Sequence, residues 1–91
     1  MKNKVLVAES SLEFRMAIKN VIQKTSSFEL YGTLLREEDL YAKLTDKEAS
    51  LLILDADFGG KRGIEILKKS VEIRKVPIIF VSSDYKDSSA A

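Results

Sequence analysis

Four polar residues of the chain each follow a short apolar run, at a point where a buried strand would end. They are Glu9 after "VLVA", Asp55 and Asp57 after "LLIL", and Ser82 after "IIFV". Clustered carboxylates repel one another, and they either raise one another's pKa or bind a cation such as Mg²⁺. An aspartate beside such an ion can attack phosphorus, while a serine hydroxyl donates to a phosphoryl oxygen. Singly, each residue could be only a turn or cap residue, but together they favour a phosphoryl site.

The elements that must position these residues alternate along the chain. The runs at 5–8, 51–54 and 78–81 are typical of strands buried on both faces, whereas "FELYG" at 28–32 alternates as an edge strand does. Between them, apolar residues with helical spacing predict helices at about 14–22, 36–44 and 61–72. The predicted inward stripes are Phe14, Ala17, Ile18, Val21 and Ile22 in the first helix, and Ile64, Leu67 and Val71 in the third. Four strands alternating with three helices predict an open, doubly wound α/β sheet.

The carboxyl edge of such a sheet is where function collects. If the first, third and fourth strands are neighbours, Glu9, Asp55 and Ser82 converge on one crevice with Asp57 close by. The segment "SSLE" at 10–13 is similar to a capping box, so we expect Ser10 to serve as a helix cap.

Composition indicates one small soluble domain and excludes several classes. Of the 91 residues, 45% are hydrophobic and 32% charged, and 15 basic residues against 14 acidic ones give a net charge of +1. Nucleic-acid-binding proteins usually carry a basic patch, and this chain has neither an excess of basic residues nor a block of them. We therefore expect no nucleic-acid partner. There is no cysteine, and no apolar run reaches the roughly 18 residues needed to span a bilayer. We therefore expect a cytoplasmic protein without a membrane partner.

In its ordered motifs the chain resembles the receiver domain of two-component response regulators, most closely the receivers of chemotaxis methylesterases. "KVLVAESSLEFRMAIKNVI" resembles the opening strand, acidic pair and first helix, and "FELYGTLLREEDL" the second strand and next helix. "LLILDADFGGKRGIEIL" is similar to the pattern L-D-x-x-M-P-x-x-x-G-x-x-x-L, and "VPIIFVSS" to the fourth strand with its terminal Ser or Thr. The resemblance implies a flavodoxin-like sheet of strand order 2-1-3-4 and phosphorelay signalling without enzymatic activity of its own.

The resemblance also implies roles for individual residues. Asp55 would be the phosphoacceptor and Ser82 the hydroxyl that senses the phosphoryl group. Glu9, Asp55 and the backbone carbonyl of Asp57 would bind Mg²⁺. The phosphoryl donor would be a histidine kinase.

Three departures from the pattern change these expectations. Ser10 stands where a second acidic residue usually binds the metal, which weakens the site. Phe58-Gly59 replaces Met-Pro, which we expect to loosen the turn beneath Asp55. The sequence ends at Ala91, so residues 1–91 read as a single truncated receiver-like domain that lacks the fifth strand, its lysine and the last helices. The alternative is a piece of a longer regulator.

Truncation would leave the fourth strand as an apolar edge, and we expect something to cover it. A homodimer, joined at the fourth-strand edge or at the uncovered sheet face, is the simplest solution, and a protein partner is the other.

Two other functions are weighed against signalling. "ILDADFG" also resembles the D-x-D motif of haloacid-dehalogenase-like phosphatases, in which Asp55 would be the nucleophile and Asp57 the acid/base. That motif normally lies near the chain start, and its downstream lysine and acid pair is missing here. A nucleotide-binding function is weaker still, because the chain has neither G-x-G-x-x-G nor a P-loop.

Overall fold

A computed structural model of the chain describes residues 3–81, and these form one alternating series of strands and helices. The strands are β1 (Asn3–Ala8), β2 (Phe28–Leu34), β3 (Leu51–Asp55) and β4 (Ile78–Val81). The helices are α1 (Leu12–Gln23), α2 (Glu37–Thr45), the single turn α3 (Phe58–Lys61) and α4 (Gly63–Ile73). The predicted order is confirmed, with one additional turn between β3 and the last helix.

The four strands form one parallel sheet in the order β2-β1-β3-β4. The β3–β4 register is continuous from Leu52 opposite Ile78 to Asp55 opposite Val81. The β1–β2 register shifts by one residue between Val5 and Leu6. This arrangement confirms the flavodoxin-like, doubly wound sheet, and in the described part of the chain β2 and β4 are its edges.

The two faces of the sheet are covered unequally. Alternate residues of each strand point to opposite faces, and α2 and α4 cover one face while α1 covers the other. The α2/α4 face holds most of the core: Leu6, Ala8, Leu34, Leu40, Leu44, Ala49, Leu52, Leu54, Phe58 and Ile66 are buried there. On the α1 face the buried hydrophobic residues, among those described, are only Val5, Val7 and Ile22. The α1 face of β3 and β4 is therefore the open part of the sheet.

The helical stripes differ in part from those predicted. In α1, Ile22 is buried and Ile18 half-buried as expected, but Val21 is 64% exposed. In α4 the buried stripe is Gly63, Ile66 and Ser70, so placing Ile64 and Val71 inward was wrong. The helix starts at Gly63 rather than near 61, and each buried residue lies one position before the one predicted.

Candidate functional site

Two carboxylates lie side by side at the carboxyl edge of the sheet. Glu9 follows the last residue of β1, and Asp55 is the last residue of β3, the strand that pairs with β1. Both are buried, at 5% and 6% exposure. The neighbouring strands β1 and β3 therefore bring together two of the predicted site residues. Asp57 is half-buried in the turn that follows Asp55.

The pKa of the Glu9 carboxyl is raised above its ordinary value. Burial is the main cause, because it disfavours the charged form, and the charge of Asp55 and a side-chain hydrogen bond with Asp55 act in the same direction. Backbone amides of Ser11 and Ser10 oppose the shift, and the Ser11 N–H donates to Glu9 Oε1 at 3.0 Å. The pair is thus a place where negative charge is crowded and where a proton or a cation would be favoured.

The loop after β1 places Ser10 differently from the prediction. Ser11 is the N-cap of α1, and its Oγ accepts from the backbone N–H of Phe14 at 3.3 Å. Ser10 is exposed and precedes the cap, so the assignment of Ser10 as cap was wrong by one residue. Arg15 fixes the same loop, since its Nη1 donates to the Glu9 carbonyl oxygen at 3.0 Å.

The turn after β3 is held by a buried aromatic ring and by glycine. Phe58 is fully buried, so the expected loosening of the turn at Phe58-Gly59 is not found. Gly59 and Gly60 have φ of 69° and 74°, in the left-handed region that glycine adopts without strain. Gly63 donates its N–H to the Ala56 carbonyl, and a Cβ there would lie 2.3 Å from that oxygen. This closeness explains why the motif has glycine at this position.

An ion pair that the sequence analysis missed links this turn to α2. Arg62 Nη1 donates to Glu37 Oε2 at 2.7 Å, and the hydroxyl of Tyr41 donates to Glu37 Oε1 at 2.8 Å. Arg62 also binds Glu65 at 3.0 Å. Three acids in the first turn of α2, Glu37, Glu38 and Asp39, are favoured there by the helix dipole. Nothing in the local pattern indicates that one of them meets an arginine 25 residues away.

Comparison with curated proteins finds similar sequences among protein-glutamate methylesterases. The chain is 29% identical over 87 residues to a protein-glutamate methylesterase/protein-glutamine glutaminase 2 of Paramagnetospirillum magneticum, covering 96% of this chain and 25% of that protein. It is 34% identical over 84 residues to the protein of that type from Clostridium acetobutylicum, covering 90% of this chain and 24% of the other. The chain thus spans about a quarter of the length of these relatives. No protein-family profile matches it.

Solved structures share its fold. The response regulator domain of Thermotoga maritima CheB superposes with a TM-score of 0.80 at 24% identity, covering 91% of this chain and 62% of that one. The PhyR response regulator REC domain of Erythrobacter litoralis gives 0.77 at 17% identity, covering 94% and 67%. The chain is therefore receiver-like in its fold. Within residues 3–81 of this domain, no helix is long and apolar enough to cross a membrane.

One residue predicted for the site lies outside the residues that the structure describes. It is Ser82, which directly follows β4. Among residues 3–81, no three acidic, histidine or cysteine side chains are grouped so that they could hold a metal ion. The donors at the site are the paired carboxylates of Glu9 and Asp55, with Asp57 in the adjoining turn. Two carboxylates fit the small protein contribution that Mg²⁺ needs when waters and a phosphate complete its shell.

Proposed function

We propose that this receiver-like domain is a signalling module that acts by binding other proteins and accepts a phosphoryl group on Asp55. The observation that carries the proposal is the position of Asp55, at the end of β3 and beside a second carboxylate whose pKa is raised. Active and binding sites of parallel sheets lie at this edge. The domain itself would catalyse no turnover of a separate substrate.

Mg²⁺ is the cofactor we assign to this phosphorylation. Glu9, Asp55 and the backbone carbonyl of Asp57 would hold it, and it would neutralise the charge of the incoming phosphoryl group. Because Ser10 replaces a carboxylate, we expect weak metal affinity, since a neutral hydroxyl is a poorer ligand for a hard cation. Ser82 would donate to the phosphoryl oxygens.

Phosphorylation is tested by incubating the chain with acetyl phosphate and Mg²⁺ and measuring the intact mass. We expect the gain of one phosphoryl group in the parent chain and in Asp57→Asn, and none in Asp55→Asn. Omission of Mg²⁺ should slow the reaction strongly. A parent chain that gains no mass from acetyl phosphate or from a histidine kinase would contradict the assignment of Asp55. Steady hydrolysis of a phosphate ester that is lost in Asp57→Asn would instead favour the function of a haloacid-dehalogenase-like phosphatase.

The partners proposed for this domain are a histidine kinase, a downstream signalling protein and a second copy of the chain. A protein of this fold, PhyR of Bartonella quintana, was crystallised with the anti-sigma factor NepR, at a TM-score of 0.75 to this chain. The homodimer would form through the β4 edge or the open face of the sheet, and we place the protein in the cytoplasm.

A further inference from the structure

Among residues 3–81 no strand pairs with the outer edge of β4, and proline does not block this edge. Leu52 N–H donates to the Pro77 carbonyl at 3.0 Å, and Ala56 N–H donates to the Val81 carbonyl at 2.7 Å. Since peptide groups alternate in direction along a strand, residues 77, 79 and 81 face β3, while Ile78 and Phe80 direct their N–H and C=O groups outward. The missing N–H of Pro77 is therefore on the β3 side. In the described chain, the outer ladder of β4 is available to another strand.

The side chains of β4 lack the usual protection of an edge. All four residues of Ile78–Val81 are apolar, and the register with β3 contains no bulge. Ile79, on the open α1 face, is 51% exposed. Exposed edges in soluble proteins normally carry charges, bulges or blocking prolines, because an unprotected edge pairs with other strands. These features suit a strand that is paired in the working protein.

Charge complementarity selects a second copy in antiparallel orientation. The segment before β4 carries the basic residues Arg74 and Lys75, whereas the carboxyl edge at its other end carries Glu9, Asp55 and Asp57. Arg74 is engaged, since its Nη1 donates to the Ala49 carbonyl at 2.6 Å, but Lys75 is exposed. In an antiparallel pair, the basic end of each copy lies on the same side of the sheet end as the acidic edge of the other.

We propose that two copies pair through β4 in an antiparallel ladder, with Ile79 opposite Ile79 and the partner's Lys75 directed toward the acidic edge. A two-fold axis requires this orientation, because a parallel ladder is staggered and cannot be the same from both sides. In this register Ile78 of each copy exchanges hydrogen bonds with Phe80 of the other. The two Ile79 side chains form the closely spaced, non-hydrogen-bonded pair, with Cα atoms about 4.5 Å apart. The result is a continuous sheet of eight strands.

This register brings lysine within range of the carboxylates. The partner's Lys75 would lie about 7 Å beyond Val81 along the strand direction and about 10 Å from the line of β3. A lysine side chain spans about half of the resulting separation of roughly 12 Å, which leaves the ammonium within about a Debye length of the carboxylates at 0.1 M salt. The dimer would thus supply a cation near the acidic edge from a second chain. The inference deepens the homodimer proposed above and does not depend on phosphorylation of Asp55.

Sedimentation and cross-linking of single-cysteine variants test the pairing, since the parent chain has no cysteine. We expect the parent chain and Asp55→Asn to sediment as dimers at micromolar concentration. Ile79→Cys should oxidise rapidly to a disulfide-linked dimer, because Cβ atoms at such a pair lie in disulfide range. Ile53→Cys, on the same open face but one strand inward, and Glu29→Cys on β2 are the matched controls and should not cross-link.

The outcomes separate the two dimers proposed above and distinguish them from the site. A folded monomer would overturn the pairing whether or not Asp55 is labelled by acetyl phosphate. A dimer in which Ile53→Cys links as readily as Ile79→Cys would indicate face-to-face packing and overturn the edge ladder. Ile79→Cys that stays reduced in a dimeric chain would also overturn it.

Charge reversal tests the electrostatic part of the inference. Lys75→Glu should raise the dissociation constant about 10-fold at low salt, with the effect shrinking at high salt. Lys19→Glu makes the same change of charge on α1 and should leave the constant within about 2-fold of the parent, since Lys19 is far from β4. Equal behaviour of the two variants would remove Lys75 from the interface.

Discussion

The two edges of the sheet, β2 and β4, are built differently. At β2 the register breaks at Tyr31, whose ring lies 4.5 Å from the Lys43 ammonium and 5.2 Å from that of Lys4. Lys4 in turn pairs with Glu48 at 3.0 Å. At β4 there is neither a bulge nor a charged side chain. One edge is irregular and charged, and the other is regular and apolar.

This difference indicates that only β4 is suited to pairing. Bulges and lysines are the devices by which soluble proteins keep an edge strand from adding another chain. The irregular register of β2, its own Glu29, and the lysines of β1 and α2 beside Tyr31 fit a strand that ends the sheet. Their absence along the described length of β4 fits a strand that continues into another one.

The largest effect should come from a charge on the β4 edge. Ile79→Lys would replace the apolar pair on the two-fold axis by two ammonium groups of like charge, and we expect the dissociation constant of the dimer to rise at least about 100-fold. Thr33→Lys places the same group on exposed β2 and should change it less than about 2-fold. Sedimentation over a dilution series measures both. If Thr33→Lys dissociates the dimer as strongly, the two edges are not different in the way proposed.

Replacing glycine by alanine should destabilise the chain far more at the turn after β3 than on β2, and this difference should be almost as large. In Gly63→Ala the new Cβ would lie 2.3 Å from the Ala56 carbonyl oxygen, so the turn after β3 must shift. We expect a loss of about 2–4 kcal/mol in the free energy of unfolding by urea. Gly32→Ala on β2 meets nothing closer than Leu6 Cδ2 at 3.5 Å, and it should change stability by less than about 1 kcal/mol. Equal losses would show that the turn is not tighter than the β2 edge.

The fold was predictable from the sequence because the strands are short apolar runs and their order is set by alternation with helices. The resemblance supplied the strand order 2-1-3-4, and the sheet confirms it. The helix faces were less predictable. Placing Val21, Ile64 and Val71 inward assumed that each helix is fully covered, whereas these side chains are exposed in the described structure. Periodicity indicates which residues are apolar, not which of them find a partner.

Part of the site was predictable for a similar reason. Glu9 and Asp55 end neighbouring parallel strands, so topology alone brings them together. The contact of Arg62 with Glu37 was not predictable, because it joins residues 25 positions apart through the packing of a turn on α2. The burial of Phe58 was also missed, since a Phe in the place of a Met reads as a departure although its ring fills the same kind of apolar space.

A smaller effect is expected at the acids that lie between the two edges. The pKa of Glu9 is raised above the ordinary 4.5, so the folded state holds its proton at a higher pH than the unfolded state does. Stability from this group is therefore full below about pH 4 and is lost as pH rises through the raised pKa. Glu9→Gln removes that loss and keeps an acceptor for the Ser11 N–H. We expect a higher thermal midpoint than the parent at pH 7 and no difference at pH 4, with exposed Glu13→Gln as the control. A midpoint lower at pH 7 would contradict the crowding of charge.

The smallest effect concerns the side chain that marks the β2 edge. The hydroxyl of Tyr31 donates to the Asp46 carboxylate, and this bond raises the pKa of Tyr31 to about 12. Because the folded state favours the neutral phenol, this hydrogen bond contributes to stability below the ordinary tyrosine pKa of about 10. That contribution is lost as pH rises through about 12. In Asp46→Asn we expect the pKa of Tyr31 to fall toward its ordinary value, as measured by NMR of labelled tyrosine rings. Tyr41, whose pKa of about 12 depends on burial and Glu37, serves as the internal control and should not move. An unchanged Tyr31 would mean that Asp46 does not hold the ring between the two lysines, and the protection of the β2 edge would then rest on its bulge alone.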